Sequence, residues 1–159
     1  MDEKKVGSVE RVRLALEAKG ANSEIERFDQ STRTAADAAA AIGCSVGQIA
    51  KSLIFRAKKS DRPVLVIARG DGRVDEKKIA AALGEKIGRA DADFVRERTG
   101  FAIGGVAPVG HTGEVVCYID ADLSEFETVW AAAGAPNAVF RTSPGDLVRL
   151  SDGEEIEVR

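Results

Sequence analysis

Two runs fix the character of this chain: "KSLIFRA" (51–57) and "PVLVIA" (63–68), separated by a short charged stretch. Both are β-branched and apolar, and both are bounded by turn-forming residues. Strands joined by so short a link form a hairpin, because a parallel pair needs a crossover of a dozen residues or more. An all-parallel sheet is therefore excluded. Around the hairpin the pattern alternates between helical and extended segments. Val9, Val12 and Leu16 fall at helical spacing and Gly20 follows as a stop. "IERF" (25–28) reads as a short strand. Thr34 with Asp37 caps an alanine-rich helix closed by Gly43, and Ser45 with Gln48 has the spacing of a capping box.

Asp75 caps a helix through Leu83, "KIGRA" is a weak strand, and Asp91 opens a helix ended by Gly100. "EVVCYID" is a strand. Ser124 and Glu127 have capping-box spacing and predict a helix running to Gly134. "AVFRT" is a strand, "SPGDLVRL" a short helix with Ser143 at its cap, and "EEIEVR" a final strand. With no internal repeat and no linker, the expectation is one mixed α/β (α+β) domain over residues 1–159.

Charge is unevenly spread. Residues 1–110 carry 20 basic and 16 acidic side chains, whereas 111–159 carry 3 and 10. The densest basic stretch, "KSLIFRAKKSDR", suits an anionic partner such as RNA, or is a solvated strand and turn. No run approaches the length of a membrane span, and the charged start "MDEKKVGSVE" lacks a signal peptide's apolar stretch, so a cytoplasmic location is expected. Cys44 and Cys117, with one histidine, do not have the spacing of a zinc site, and no metal or cofactor is expected.

"TGFAIGGVAPVGH" (99–111) is too poor in side chains for an ordinary strand. It is not a dinucleotide fingerprint, and no P-loop and no Gly-x-Ser-x-Gly elbow occurs elsewhere. It is either a tight turn between strands or a loop whose bare amides approach a substrate oxygen, with Gly104 and Gly105 lacking a Cβ and Pro108 stiffening the chain. Lys51, with Leu53 and Phe55 on its own face by alternation, is either a lysine snorkelling from a strand end or a cation at a pocket mouth.

Four segments together, "RTAADAAAAIGCSVGQIAKSLIFR", "VLVIARGDGRVDEKKIAAALG", "TGFAIGGVAPVGH" and "RTSPGDLVRL", resemble in order and spacing the YbaK/prolyl-tRNA-synthetase-associated editing domains. The resemblance runs from about Arg33 to Leu150, and residues 1–30 fit only as a leading helix and strand. It implies a mixed, mostly antiparallel, partly barrel-like sheet with surrounding helices. It also implies a hydrolase acting in trans on mischarged tRNA, typically tRNA(Pro) carrying cysteine or alanine, with prolyl-tRNA synthetase as a possible partner. The alternative on the same fold is a non-catalytic module that binds tRNA or a synthetase.

In such a domain Lys51 matches the site lysine, and "GGVAP" (Gly104 to Pro108) matches the loop whose main-chain amides hold the substrate carbonyl. Asp146 aligns with a site-adjacent acid, and His111 matches those branches that read Pro-x-Gly-His. Phe28, Ile49, Leu53, Val106 and Ala107 are candidate pocket walls; Lys58, Lys59 and Arg62, then Arg69, Arg73, Lys77 and Lys78, are the positions an RNA would meet, with the acidic C-terminal third turned away. An aminoacyl ester is already activated, so positioning and carbonyl polarisation carry much of the rate without a strong enzymic nucleophile.

Overall fold

The structure is a computed structural model that describes residues 7–21, 24–28 and 34–159. The charged segment 1–6 and Arg33, where the family resemblance begins, lie outside the described residues. The expected hairpin is its centre. β2 (Ile49–Ala57) pairs antiparallel with β3 (Pro63–Arg69), in unbroken register from Ala50↔Arg69 to Arg56↔Pro63. Each side of that pair is then extended differently. β3 takes β5 (Val116–Asp120) in parallel, and β5 takes β8 (Glu154–Ile156), also in parallel. β2 takes β6 (Val129–Ala132) in parallel, β6 takes β7 (Ala138–Thr142) antiparallel, and β1 (Ile25–Arg27) closes that side against β7. β4 (Ile87–Arg89) pairs with the far end of β2. The result is one mixed sheet of eight strands in the order β1-β7-β6-β2-β3-β5-β8, with β4 off that path. It stays open, with β1 and β8 at its ends rather than paired to each other.

β3 lies in the middle of this sheet and is buried on both faces, which is why "PVLVIA" is a continuous apolar run and not an alternating one. Leu65 and Ile67 face the larger core, shared with Val12 and Leu16 of α1 (Ser8–Ala18) and Phe94 and Val95 of α4 (Ala92–Thr99). Val64 and Val66 face a second cluster under Ile79 of α3 (Glu76–Leu83). A third, small cluster joins α2 (Ala35–Ile42) to Ile49 and the half-buried Trp130.

The helix starts are fixed locally. Thr34 Oγ1 accepts from Asp37 N at 3.0 Å, Asp75 from Lys77 N at 3.0 Å and Asp91 from Phe94 N at 2.8 Å. Ser143 accepts from Asp146 N at 3.1 Å ahead of α5 (Pro144–Ser151). Such caps satisfy amides that the first helical turn leaves without partners.

One expectation fails. The segment after Ser124 is not a helix to Gly134 but a 3₁₀ turn over Ala121–Glu125 followed by β6. Ser124 Oγ donates to Ala121 O at 2.7 Å instead of capping forward. Val129 and Trp130 favour the extended state, and pairing on both sides with β2 and β7 outweighs the helix propensity of the alanines that follow.

Leu65 is fully buried in the larger core. Leu65→Ala is expected to lower unfolding free energy by about 2–5 kcal/mol, read from the urea midpoint at unchanged slope.

Candidate functional site

The parallel ladder between β2 and β6 is very short: it consists of Ile49↔Trp130 and Ala50↔Ala131. Beyond it the ladder ends, and β2 finds a new neighbour on that edge only at Phe55, opposite Arg89 at the end of β4. The gap is a cavity of about 380 Å³. Its β2 wall runs from Ile49 to Leu53, its β6–β7 wall includes Ala132, Ala135 and Ala138, and Ile103 and Gly104 lie at a third side.

Lys51 and Gly104 thus share one cavity, though 53 residues of sequence separate them. Lys51 is half-buried; its Nζ donates to Gly72 O at 2.6 Å and reaches Gly70 O at 3.5 Å. It is the lone ionisable side chain among the described residues lining the cavity. Gly104 has φ +89°, a left-handed conformation that favours glycine, and a Cβ placed on it would meet open space. Its N–H has no hydrogen-bond partner among the described residues.

Gly105 differs from the expectation set for it. Its N–H is taken by Ala102 O at 3.0 Å, and it is buried. A Cβ there would come within 2.8 Å of Ala135 Cα, so the residue is glycine because the loop runs against the backbone of the β6–β7 turn. Of the two glycine amides, the geometry leaves Gly104 open toward a ligand.

The rest of the loop is core. Val106, Ala107 and Val109 belong to the large apolar cluster, Pro108 is buried, and none of them lines the cavity. His111 is also outside it. Its Nε2–H donates to Ala107 O at 2.7 Å and its ring meets Phe101 edge-on at 5.9 Å. Burial holds its pKa below the usual 6.5, so it is a neutral loop tie. Asp146 is exposed in the first turn of α5, 3.5 Å from Arg149, and away from the cavity lining. Phe28 does not line the cavity either; its N–H donates to Asn137 O at 2.9 Å beside the β6–β7 turn. Of the candidate walls, Ile49 and Leu53 do line it.

Several contributors carry no chemical signal in the sequence. Arg11 of α1 donates to Gly100 O at 2.6 Å and Gly110 O at 2.8 Å, clamping both ends of the glycine loop, and lies 4.4 Å over Phe101. Trp130, Ser52 and Ile103 line the cavity, and Ile103 is 56% exposed at its mouth. Only the structure, by leaving the apolar Ile103 side chain open beside a cavity, marks it out.

Lys58, Lys59 and Arg62 sit at the opposite end of β2 from Lys51. Seven residues of strand put Lys58 about 23 Å from Lys51. Glu85 organises that turn: it accepts from Lys59 N and Ser60 N, each at 2.8 Å, and pairs with Arg62 at 3.2 Å. These bonds hold its carboxyl down at about 2. Arg69 is not available to RNA in this arrangement, because it pairs with Asp71 and Glu125, each at 2.7 Å, and lies over Phe126. Lys78 is bonded to the Arg159 carbonyl, whereas Arg73 and Lys77 are exposed. Burial raises the Cys44 thiol and pushes Cys117 up to about 12, the reverse of what a reactive cysteine needs. Among the described residues no cluster of His, Cys, Asp and Glu could hold a metal ion, and no helix is long and apolar enough to cross a membrane.

The model of the aminoacyl-tRNA editing domain family matches residues 29–150. The chain belongs to that family. It is 35% identical over 144 residues to the uncharacterized protein YwhH of Bacillus subtilis (strain 168), covering 91% of each chain. It is 31% identical over 103 residues to a proline–tRNA ligase of Thermoanaerobacter sp. (strain X514), which is 63% of this chain but 18% of the ligase. Among solved structures, that of a proposed trans-editing enzyme for prolyl tRNA synthetase superposes with a TM-score of 0.90 at 40% identity, covering 98% of this chain and 99% of the other.

His111 binds its proton less readily folded than unfolded, so its contribution to stability is complete above pH 6.5 and is lost as pH falls through that value toward the lowered folded one. His111→Gln is expected to flatten the acid side of the stability–pH curve in this window, measured by denaturant titration at a series of pH values.

Proposed function

We propose that the protein is an aminoacyl-tRNA deacylase acting in trans, clearing tRNA(Pro) that carries alanine or cysteine. The observation that carries this reading is that Lys51 and the open amide of Gly104 line one cavity that has no other ionisable side chain among its described lining residues. Among the described residues such a site has no general base beside a nucleophile, but it suits an ester that is already activated. The Gly104 N–H receives the acyl oxygen as it gains charge, the contribution an oxyanion-hole donor makes. Lys51, leaving its tether to Gly72 O, meets the terminal ribose or its phosphate and holds the ester in place.

Water, oriented by a neighbouring ribose hydroxyl, attacks the acyl carbon, the acyl C–O bond breaks, and the ribose oxygen leaves with the proton the water gives up, so the free amino acid is released. With cysteine the substrate's own thiol is the attacking group. The alanine-rich walls accept small side chains and exclude large ones by contact. Each methylene that fails to fit is worth about 1–3 kcal/mol of discrimination. Kinship to part of a proline–tRNA ligase supports tRNA(Pro) as the substrate. Lys58 and Lys59, ~23 Å along β2 from Lys51, are placed for the acceptor stem and not for the aminoacyl end.

The test is release of amino acid from tRNA(Pro) charged separately with proline, alanine, cysteine and serine. Alanine or cysteine is expected to be freed and proline retained, and Lys51→Ala to lower kcat/KM by about 10²-fold. Binding of every tRNA without release of any amino acid would identify a non-catalytic module, and an unchanged rate in Lys51→Ala would remove that residue from the site.

A further inference from the structure

The parting of β2 from β6 leaves a specific pair of main-chain groups without partners among the described residues. Ala57 N donates to Arg62 O and Lys58 N to Lys86 O, so odd-numbered residues of β2 bond toward β3 and even-numbered ones toward the other edge. The register with β3 is unbroken, so this parity holds back to Ala50. On β6, Ala133 N donates to Ala138 O, so Ala131 and Ala133 bond toward β7, and Trp130 and Ala132 toward β2. Were the ladder to advance one step past Ala50↔Ala131, Ser52 N–H would donate to Ala132 O. It stops short of that.

Both residues line the cavity. Ser52 is only partly buried, yet its Oγ is shut off from solvent and has no partner among the described residues, so its exposed surface is main chain and Cβ. Beyond that point the β6–β7 turn is fixed elsewhere: Gly105 packs against the Ala135 backbone, and Ser8 Oγ donates to Gly134 O at 2.7 Å.

An unpaired donor facing an unpaired acceptor across a gap is costly unless something fills it. An α-amino ester presents the complementary pair, with an amino group that donates beside an acyl oxygen that accepts. We propose that the slot between Ser52 and Ala132 reads the α-amino group of the substrate, which donates to the Ala132 carbonyl while the acyl oxygen accepts from Ser52 N–H and, at the mouth, from Gly104 N–H. Among the described residues lining the cavity there is no carboxylate, and a neutral main-chain carbonyl is the acceptor they offer that amine. The slot is thus selective for aminoacyl esters over simple acyl esters. This inference rests on the reading of the cavity as an aminoacyl site.

Two probes test it. The first compares equilibrium binding of 3′-alanylamido-3′-deoxyadenosine and its propionylamido counterpart, which lacks the amine. The second compares turnover of alanyl- and propionyl-tRNA(Pro), each rate divided by that ester's spontaneous hydrolysis. Loss of the amine is expected to weaken binding at least about tenfold and to reduce the corrected kcat/KM by a similar factor. Ser52→Pro, which deletes the N–H facing the gap, is expected to weaken both analogues about tenfold or more. Should that variant fail to fold, the comparison of analogues on the wild-type protein still decides.

Equal turnover of the two esters would overturn the slot and leave the deacylase reading standing. Amine-dependent binding with neither ester turned over would leave the slot and overturn the deacylase. Unchanged binding in a folded Ser52→Pro would overturn the assignment to this edge.

Discussion

The architecture of the site depends on a strand pairing that stops early. β2 and β6 run together for one short ladder and then part, so the sheet has a hole in its middle and not merely an edge. A cavity in such a place has rigid walls on two sides without needing a loop to form them. The buried β3 fixes β2 from behind, and β7 fixes β6. The two functional groups therefore stand on different supports: Lys51 on a strand tied to the centre of the core, Gly104 on a loop pinned from the other side.

That loop is mostly structure. Phe101, Val106, Ala107 and Val109 root it in the larger core, Arg11 holds its ends by two carbonyls, and His111 ties its end back to Ala107. Only Ile103 and Gly104 reach the cavity. Its shortage of side chains thus answers two demands at once. Gly105 permits the close approach of the loop to the Ala135 backbone in the β6–β7 turn, and Gly104 takes a left-handed turn that leaves its amide open. A stretch that looked like a single device in the sequence divides into a packing contact and a donor.

What was legible in the sequence was local. Thr34, Asp75, Asp91 and Ser143 cap helices through bonds two or three residues long, so residue type and spacing reveal them. The hairpin at 51–68 was legible for the same reason. β6 was not, because its extended state comes from partners far away in the chain. Lys51 and Gly104 could be nominated by their chemistry. Val106 and Ala107 were candidate pocket walls, and Pro108 and His111 followed from the family resemblance, but the loop turns the first three inward and ties His111 back to Ala107. Ala132 and the main chain of Ser52 carry no side-chain signal, and their place follows from register alone. Arg11 looks like any surface arginine of an amphipathic helix until the loop it clamps is in view.

Native-state amide exchange reads the parted strands most directly, because a ladder bond protects an amide and an open edge does not. With β2 and β6 separated beyond Ala50↔Ala131, the Ser52 amide exchanges orders of magnitude faster than those of Ala50 and Arg56 on the same edge. A Ser52 amide as protected as that of Ala50 would mean that the ladder runs on to Ala132, and that no slot exists between them.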